Sequence, residues 1–197
     1  MKANRFIPAV AMLALAAACS DTATSPTSVD RPLFSLSAGT FGNVAEVNAA
    51  GTPSGGHLQS GGPVNCVVDA SLNITCNGNN LSYQINGVGN TNANATLEAT
   101  YSAQVDCTNR GGNLVEVKSQ VTSPTVTTPR LNSRNGGLTV PALTRLAPTA
   151  NDYKAAATCP NGNWTKTLAP GTPTLESFDY KLLFSGFSTP SVEIAAP

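Results

Sequence analysis

The chain has 197 residues, of which 41% are hydrophobic and 11% charged, and its eleven basic residues balance eleven acidic ones. That balance offers no basic footprint for nucleic acid, and the low charge density disfavours surface helices held by ion pairs. The length suffices for one sizeable core, and the single histidine, His57, is the residue through which any Ser-His-acid or Cys-His mechanism would have to run.

Residues 1–18 have the layout of an export signal: Lys2 and Arg5 first, then an apolar stretch from Phe6 to Ala18 that closes on small residues. That stretch is too short to cross about 30 Å of hydrocarbon, which needs about 20 helical residues, so it predicts a cleaved address and not a span. The closing string Leu15-Ala16-Ala17-Ala18-Cys19 resembles the bacterial lipobox, with Ala16 where Leu is commonest. The resemblance implies a diacylated Cys19 at the new N-terminus; ordinary signal cleavage at Ala16-x-Ala18 is the competing expectation. Cysteine parity agrees with lipidation, because removing Cys19 from five cysteines leaves four that can all pair in an oxidising compartment. Loss of Lys2 and Arg5 leaves nine basic against eleven acidic residues, a net charge of −2.

From Ser20 to about Pro32 the chain is small, polar and broken by proline, and it cannot bury enough apolar surface to offset its ordering entropy. The expected organisation is therefore a signal peptide at 1–18, a disordered lipid tether at 19–35 and a single domain at 36–197. Between Asn43 and Gly62, rich in Gly and Pro, only a short strand near Val44 to Val47 is predicted.

Beyond Pro63 the pattern is strand after strand. Cys66 to Asn77 predicts a hairpin turning at Ala70-Ser71-Leu72, with Val67 facing Thr75, Val68 facing Ile74 and Cys66 facing Cys76. That register puts two cysteines and two aliphatics on one face. Among the three possible connectivities it favours Cys66 with Cys76 and Cys107 with Cys159. A short strand follows at Leu81, Tyr83 and Ile85. From Leu97 to Cys107, apolar Leu97, Ala99, Tyr101, Ala103, Val105 and Cys107 alternate with Glu98, Thr100, Ser102, Gln104 and Asp106, the period-2 signature of a half-buried strand. Val115, Val117 and Val121 repeat the spacing after Asn109-Arg110-Gly111-Gly112-Asn113, so the two runs predict one long hairpin. Further strands are expected at Leu138 and Val140, at Tyr153, Ala155 and Ala157, and at Phe178, Tyr180, Leu182 and Phe184. Many short strands with turn-rich joins predict an all-β, disulfide-stabilised antiparallel β-sandwich, Ig-like in broad architecture.

Three turn motifs carry a resemblance: Gly87-Val88-Gly89-Asn90-Thr91-Asn92, then Cys107-Thr108-Asn109 with Gly111-Gly112-Asn113, then Cys159-Pro160. Over roughly Pro63 to Phe187 the chain resembles a family of uncharacterised secreted bacterial β-sandwich proteins. The resemblance implies secretion and a β-sandwich, and it implies no catalytic residue.

The candidate chemistry is sparse. His57 lies in a Gly-rich stretch that would position a base poorly, and Glu98, Asp106 and Glu116 fall in the solvent phase of their strands, away from a two-carboxylate cleft. Asp69 reads as a turn residue. Zinc is disfavoured because no C-x-x-C pair exists, and calcium because Asn77-Gly78-Asn79-Asn80 and Asn90-Thr91-Asn92 contain no carboxylate. Asn73, Asn94 and Asn163 begin N-x-[ST] triplets that a bacterial cell usually leaves unused. Trp164, Tyr153 and Phe187 are the aromatic rings that an exposed sugar platform would use, because Tyr101, Phe178, Tyr180 and Phe184 are in core phase. The sequence thus predicts a non-catalytic, lipid-anchored envelope or surface domain with a binding, adhesion or structural role. No cofactor, metal or nucleic acid is expected; the membrane is met through the lipid on Cys19, and a protein or polysaccharide partner stays open. A carbohydrate-binding module and a secreted hydrolase or enzyme inhibitor are the alternatives.

Overall fold

A computed structural model describes residues 35–59, 63–77 and 82–197. The signal, Cys19 and the tether as far as residue 34 lie outside the described residues, as do Leu81 and positions 78–80 of the Asn-rich candidate loop.

The strands are β1 (Gly39–Val44), β2 (His57–Leu58), β3 (Val64–Val68), β4 (Ile74–Asn77), β5 (Ser82–Asn86), β6 (Ala93–Thr108), β7 (Leu114–Thr127), β8 (Gly137–Pro141), β9 (Leu143–Arg145), β10 (Thr165–Leu168), β11 (Thr174–Phe184) and β12 (Val192–Ala196), with one helix, α1 (Ala150–Ala156), before β10. All strand pairings are antiparallel. A five-stranded sheet is built around β6. One edge of β6 carries β7, and the other is shared, with β11 along Ala93 to Ser102 and β10 along Val105 to Thr108. Strand β12 lies beyond β11. The remaining strands form a four-stranded sheet, β1-β3-β4-β9, and a three-stranded one, β2-β5-β8.

The alternation in β6 explains its position. Ala95, Leu97, Ala99, Tyr101, Ala103, Val105 and Cys107 are all buried on one face, and all but Cys107 pack in a single core with Val64, Cys66, Val68, Ile74 and Cys76 of the four-stranded sheet and Tyr83, Ile85, Leu138 and Val140 of the three-stranded one. The fold is a sandwich whose second layer is divided in two. Each fully buried Leu, Ile, Val or Phe contributes roughly 1.5–3 kcal/mol. Two hydrogen bonds tie the layers together: the Tyr83 and Tyr180 hydroxyls meet at 2.8 Å, and the Tyr101 hydroxyl donates to the Leu72 carbonyl at 3.2 Å.

In the β3–β4 hairpin Cys66 stands opposite Cys76, Val67 opposite Thr75 and Val68 opposite Ile74. The disulfides are Cys66–Cys76, with Cα atoms 4.0 Å apart, and Cys107–Cys159, with Cα atoms 5.8 Å apart. Asp69 organises the turn: its Oδ1 accepts from the Ser71 and Asn73 amides and its Oδ2 from the Asn73 side chain. Those bonds, the Asn73 side chain first, hold its carboxyl below the usual carboxylate range.

Four local expectations are corrected. Tyr153, Ala155 and Ala157 are not a strand; residues 150–156 form α1, in which only Tyr153 is buried. Alternating alanines are too small to force a pleat, whereas Asp152 reaches back to the helix start, its Oδ2 accepting from the Thr149 amide and hydroxyl at 2.7 Å each. The strand expected at Val44 to Val47 instead ends at Val44, and a 3-10 turn occupies Ala49–Gly51. Ser102 is not in solvent but buried, and Val115, expected on the core face, is exposed near the hairpin tip.

Candidate functional site

The outer face of the five-stranded sheet is hydroxyl-rich, bringing Thr96, Thr100, Ser102 and Gln104 of β6 beside Gln120 and Thr122 of β7 and Thr174 and Ser177 of β11. A bulge shapes it. Leu175 pairs with Tyr101 and Ser177 with Thr100, which leaves Glu176 as an extra residue in β11. The freed carboxylate crosses over β6 and accepts from Lys118 Nζ at 2.5 Å and Gln120 Nε2 at 2.9 Å, both on β7. Ser102 lies beneath this bridge, hydrogen-bonded to Thr174 at 3.0 Å, which accounts for its burial. Burial pushes the Glu176 carboxyl up, but the hydrogen bonds from Lys118, Ser102 and Gln120 and the Lys118 charge hold it below the usual range. Beside the bridge opens a shallow cleft of about 440 Å³ lined by Ser102, Gln104, Lys118, Gly171, Thr172 and Thr174.

A second cleft, of about 360 Å³, lies where β7, β9 and the segment leading into α1 meet. Leu143 of β9 is buried, Thr144 is exposed, and Arg145 shares the inward phase of Leu143, half-buried at the end of the strand. On β7, inward-facing Ser119 donates to the Tyr153 carbonyl at 2.7 Å. Ser123, on the same face of that strand, lines the cleft with Arg145. Its Oγ and Arg145 Nε are buried without a hydrogen-bond partner.

The residues singled out in the sequence do not converge. His57 is exposed, and its Nδ1 meets only the Gly55 carbonyl, at 3.0 Å. Glu98 and Glu116 are exposed; Glu98 accepts from Thr125 at 2.6 Å, and half-buried Asp106 accepts from Gln104 at 3.1 Å. Tyr153 is buried, Phe187 packs edge-on against Phe184 with ring centroids 6.4 Å apart, and Trp164 is half-buried, so these three rings form no exposed platform. Among the described residues no group of three or more His, Cys, Asp or Glu is placed to hold a metal ion, and no helix is long and apolar enough to cross a membrane. Glu176, Ser123 and Arg145 were not found from sequence. The only signal for Arg145 was a cation in the inward phase of a three-residue strand, too short to establish a period.

Two disulfides in one β domain belong to an oxidising compartment, the cell envelope or the exterior. No family model, curated protein or solved structure matches the chain.

Proposed function

We propose that the chain is a lipid-anchored, non-catalytic domain of the bacterial cell envelope that binds a hydroxyl-rich surface polymer along the outer face of its five-stranded sheet. The observation that carries this reading is the face itself. Its central strand has 16 residues, about 50 Å at roughly 3.3 Å per residue, and its outward positions carry hydroxyls, amides and the carboxylates of Glu98 and Asp106, with no large apolar group among them. A long polar ridge with a shallow cleft at its side suits an extended glycan better than a small substrate, which a deep pocket would enclose. The carboxyls whose ionisation is shifted, Asp69, Asp152 and Glu176, are all held down by hydrogen bonds that build turns and cross-strand bridges. A general acid needs the opposite shift. Lipidation at Cys19 would fix the domain at the membrane, with residues up to 35 as the tether.

Two measurements test this. Cells expressing wild type and Cys19→Ala are fractionated; equal retention with the membrane would sink the anchor. The protein is then mixed with insoluble polysaccharides and isolated cell-wall sacculi. Retention that Gln104→Ala with Lys118→Ala reduces supports the sheet face; retention unchanged by both substitutions, or absent throughout, refutes it.

A further inference from the structure

The cleft between β7, β9 and α1 holds a cation that the fold does not neutralise. No carboxylate among the described residues lies within 4.0 Å of Arg145. The carboxylate nearest in influence is Asp152, whose ionisation Arg145 favours after the larger effect of Thr149, and its Oδ2 is already taken by the Thr149 amide and hydroxyl. Burying part of a guanidinium without a counter-ion is costly, and so is burying a hydroxyl without a partner. Here the two occur together. Ser123 is only 3% exposed and lines the same cleft, while Ser119 on the same strand face is satisfied by α1. Both residues line one cavity and each carries a donor without a partner, so the complement they lack is an acceptor, and the guanidinium charge makes an anionic one the best match. The walls narrow the choice further. Val121, Pro124 and Leu146 are aliphatic, and Leu146 is 67% exposed on the rim with nothing packed over it. A planar carboxylate with an aliphatic side chain beside it matches this pattern. The remaining Asp152 oxygen, Oδ1, is an acceptor for an amide N–H, which a peptide end supplies one bond away from its carboxylate-bearing carbon.

We propose that this cleft captures the C-terminal carboxylate of a peptide ending in a small aliphatic residue, with Arg145 and Ser123 holding the carboxylate, Asp152 the terminal amide and Leu146 with Pro124 the last side chain. Backbone and side-chain capture of chain ends is an established recognition mode in general, and a volume of about 360 Å³ lies at the small end of the ligand-pocket range of about 300–1,000 Å³. This site is separate from the sheet face and stands whether or not that face binds a glycan.

The test uses protein produced from the complete chain and purified in detergent micelles. N-acetyl-Ala-Val as the free acid, the same dipeptide as its amide, and a galacturonate trimer are titrated by calorimetry, with the Arg145 Nε–H resonance followed by NMR. The free acid is expected to bind saturably and to move that resonance. The amide should bind about ten- to a hundredfold more weakly, the loss of one charge-assisted hydrogen bond or more. Arg145→Gln should abolish the preference for acid over amide, and Ser123→Ala should weaken the acid several-fold. Equal binding of acid and amide, or acid binding that leaves Arg145 Nε–H unmoved, overturns the proposal. Tighter binding of the galacturonate overturns the peptide assignment in favour of an acidic polysaccharide. If Arg145→Gln fails to fold, the wild-type comparison of acid with amide and the Arg145→Lys variant, which keeps the charge without the planar fork, decide the matter.

Discussion

Removing one hydroxyl from the Tyr83–Tyr180 pair should destabilise the domain more than removing both. The two phenols meet at 2.8 Å between the three-stranded sheet and β11, where Tyr180 is fully buried and Tyr83 is 7% exposed. Tyr83→Phe deletes one partner and strands the Tyr180 hydroxyl in the core. The cost is the desolvation penalty of a buried, unpaired polar group, about 1–3 kcal/mol, and Tyr180→Phe should cost a similar amount. The double variant replaces a satisfied polar pair with two apolar rings of nearly the same shape and should fall within about 1 kcal/mol of wild type. The coupling energy from the four proteins is then large and favours the matched states. Urea titration with both disulfides intact measures it, since the slope should stay constant while the midpoint moves. Single variants that each cost less than about 0.5 kcal/mol, or a double variant that costs the sum of the singles, would refute the idea that this contact is a closed two-member pair.

The disulfides should differ in worth. In the chain-entropy account the 52-residue separation of Cys107–Cys159 contributes about 4 kcal/mol and the 10-residue separation of Cys66–Cys76 about 2.7 kcal/mol. Paired Cys→Ala substitution at each bridge, followed by urea unfolding, checks the order; an equal or reversed ranking contradicts it. Alkaline pH should weaken the fold, because burial pushes the phenols of Tyr101, Tyr153 and Tyr180 up to about 12. The unfolded chain loses these protons near pH 10, so their contribution is complete below about 10 and declines as pH rises towards 12. An unfolding midpoint that stays flat from about pH 9.5 to 11.5 would remove that expectation. Gly87 and Gly89 both have positive φ; Gly89→Ala meets open space and should cost only the left-handed backbone penalty of about 1–2 kcal/mol. Gly87→Ala should cost clearly more, since its Cβ would stand 2.1 Å from the Gly55 carbonyl oxygen. Thermal unfolding of the two variants compares them, and equal losses would show that this close approach relaxes freely.

How much of this was legible depended on the period of each segment. Strand β6 was readable because apolar and polar residues alternate without a break from Leu97 to Cys107, with Leu97, Tyr101 and Val105 large, and the β3–β4 register because a short turn allows only one pairing that puts both cysteines on the apolar face. Residues 150–156 were misread because Tyr153, Ala155 and Ala157 satisfy a two-residue period by composition alone. The informative residues were Thr149 and Asp152, three apart, which open a helix. Ser102 was misassigned because strand phase gives the face but not what covers it. The bulge that swings Glu176 across β6 depends on pairing between distant strands, and no local pattern encodes it. The Arg145 cleft was invisible for the same reason, as β7, β9 and α1 meet only in the folded chain.

The sharing of one edge of β6 between β11 and β10 sets an order of events during folding. Pairing Tyr101 with Leu175, or Cys107 with Lys166, needs strands far along the chain, and such non-local topology folds slowly. The β3–β4 hairpin closes locally, on the scale of about 1–10 μs, whereas thiols oxidise over seconds to hours. Cys66 and Cys76 therefore sit opposite each other many times before either is oxidised. Once that bridge forms, two of the four domain thiols are withdrawn from exchange. Cys107 then has Cys159 as its remaining partner within the domain, and the slow docking of the C-terminal third proceeds without a competing crosslink to the hairpin.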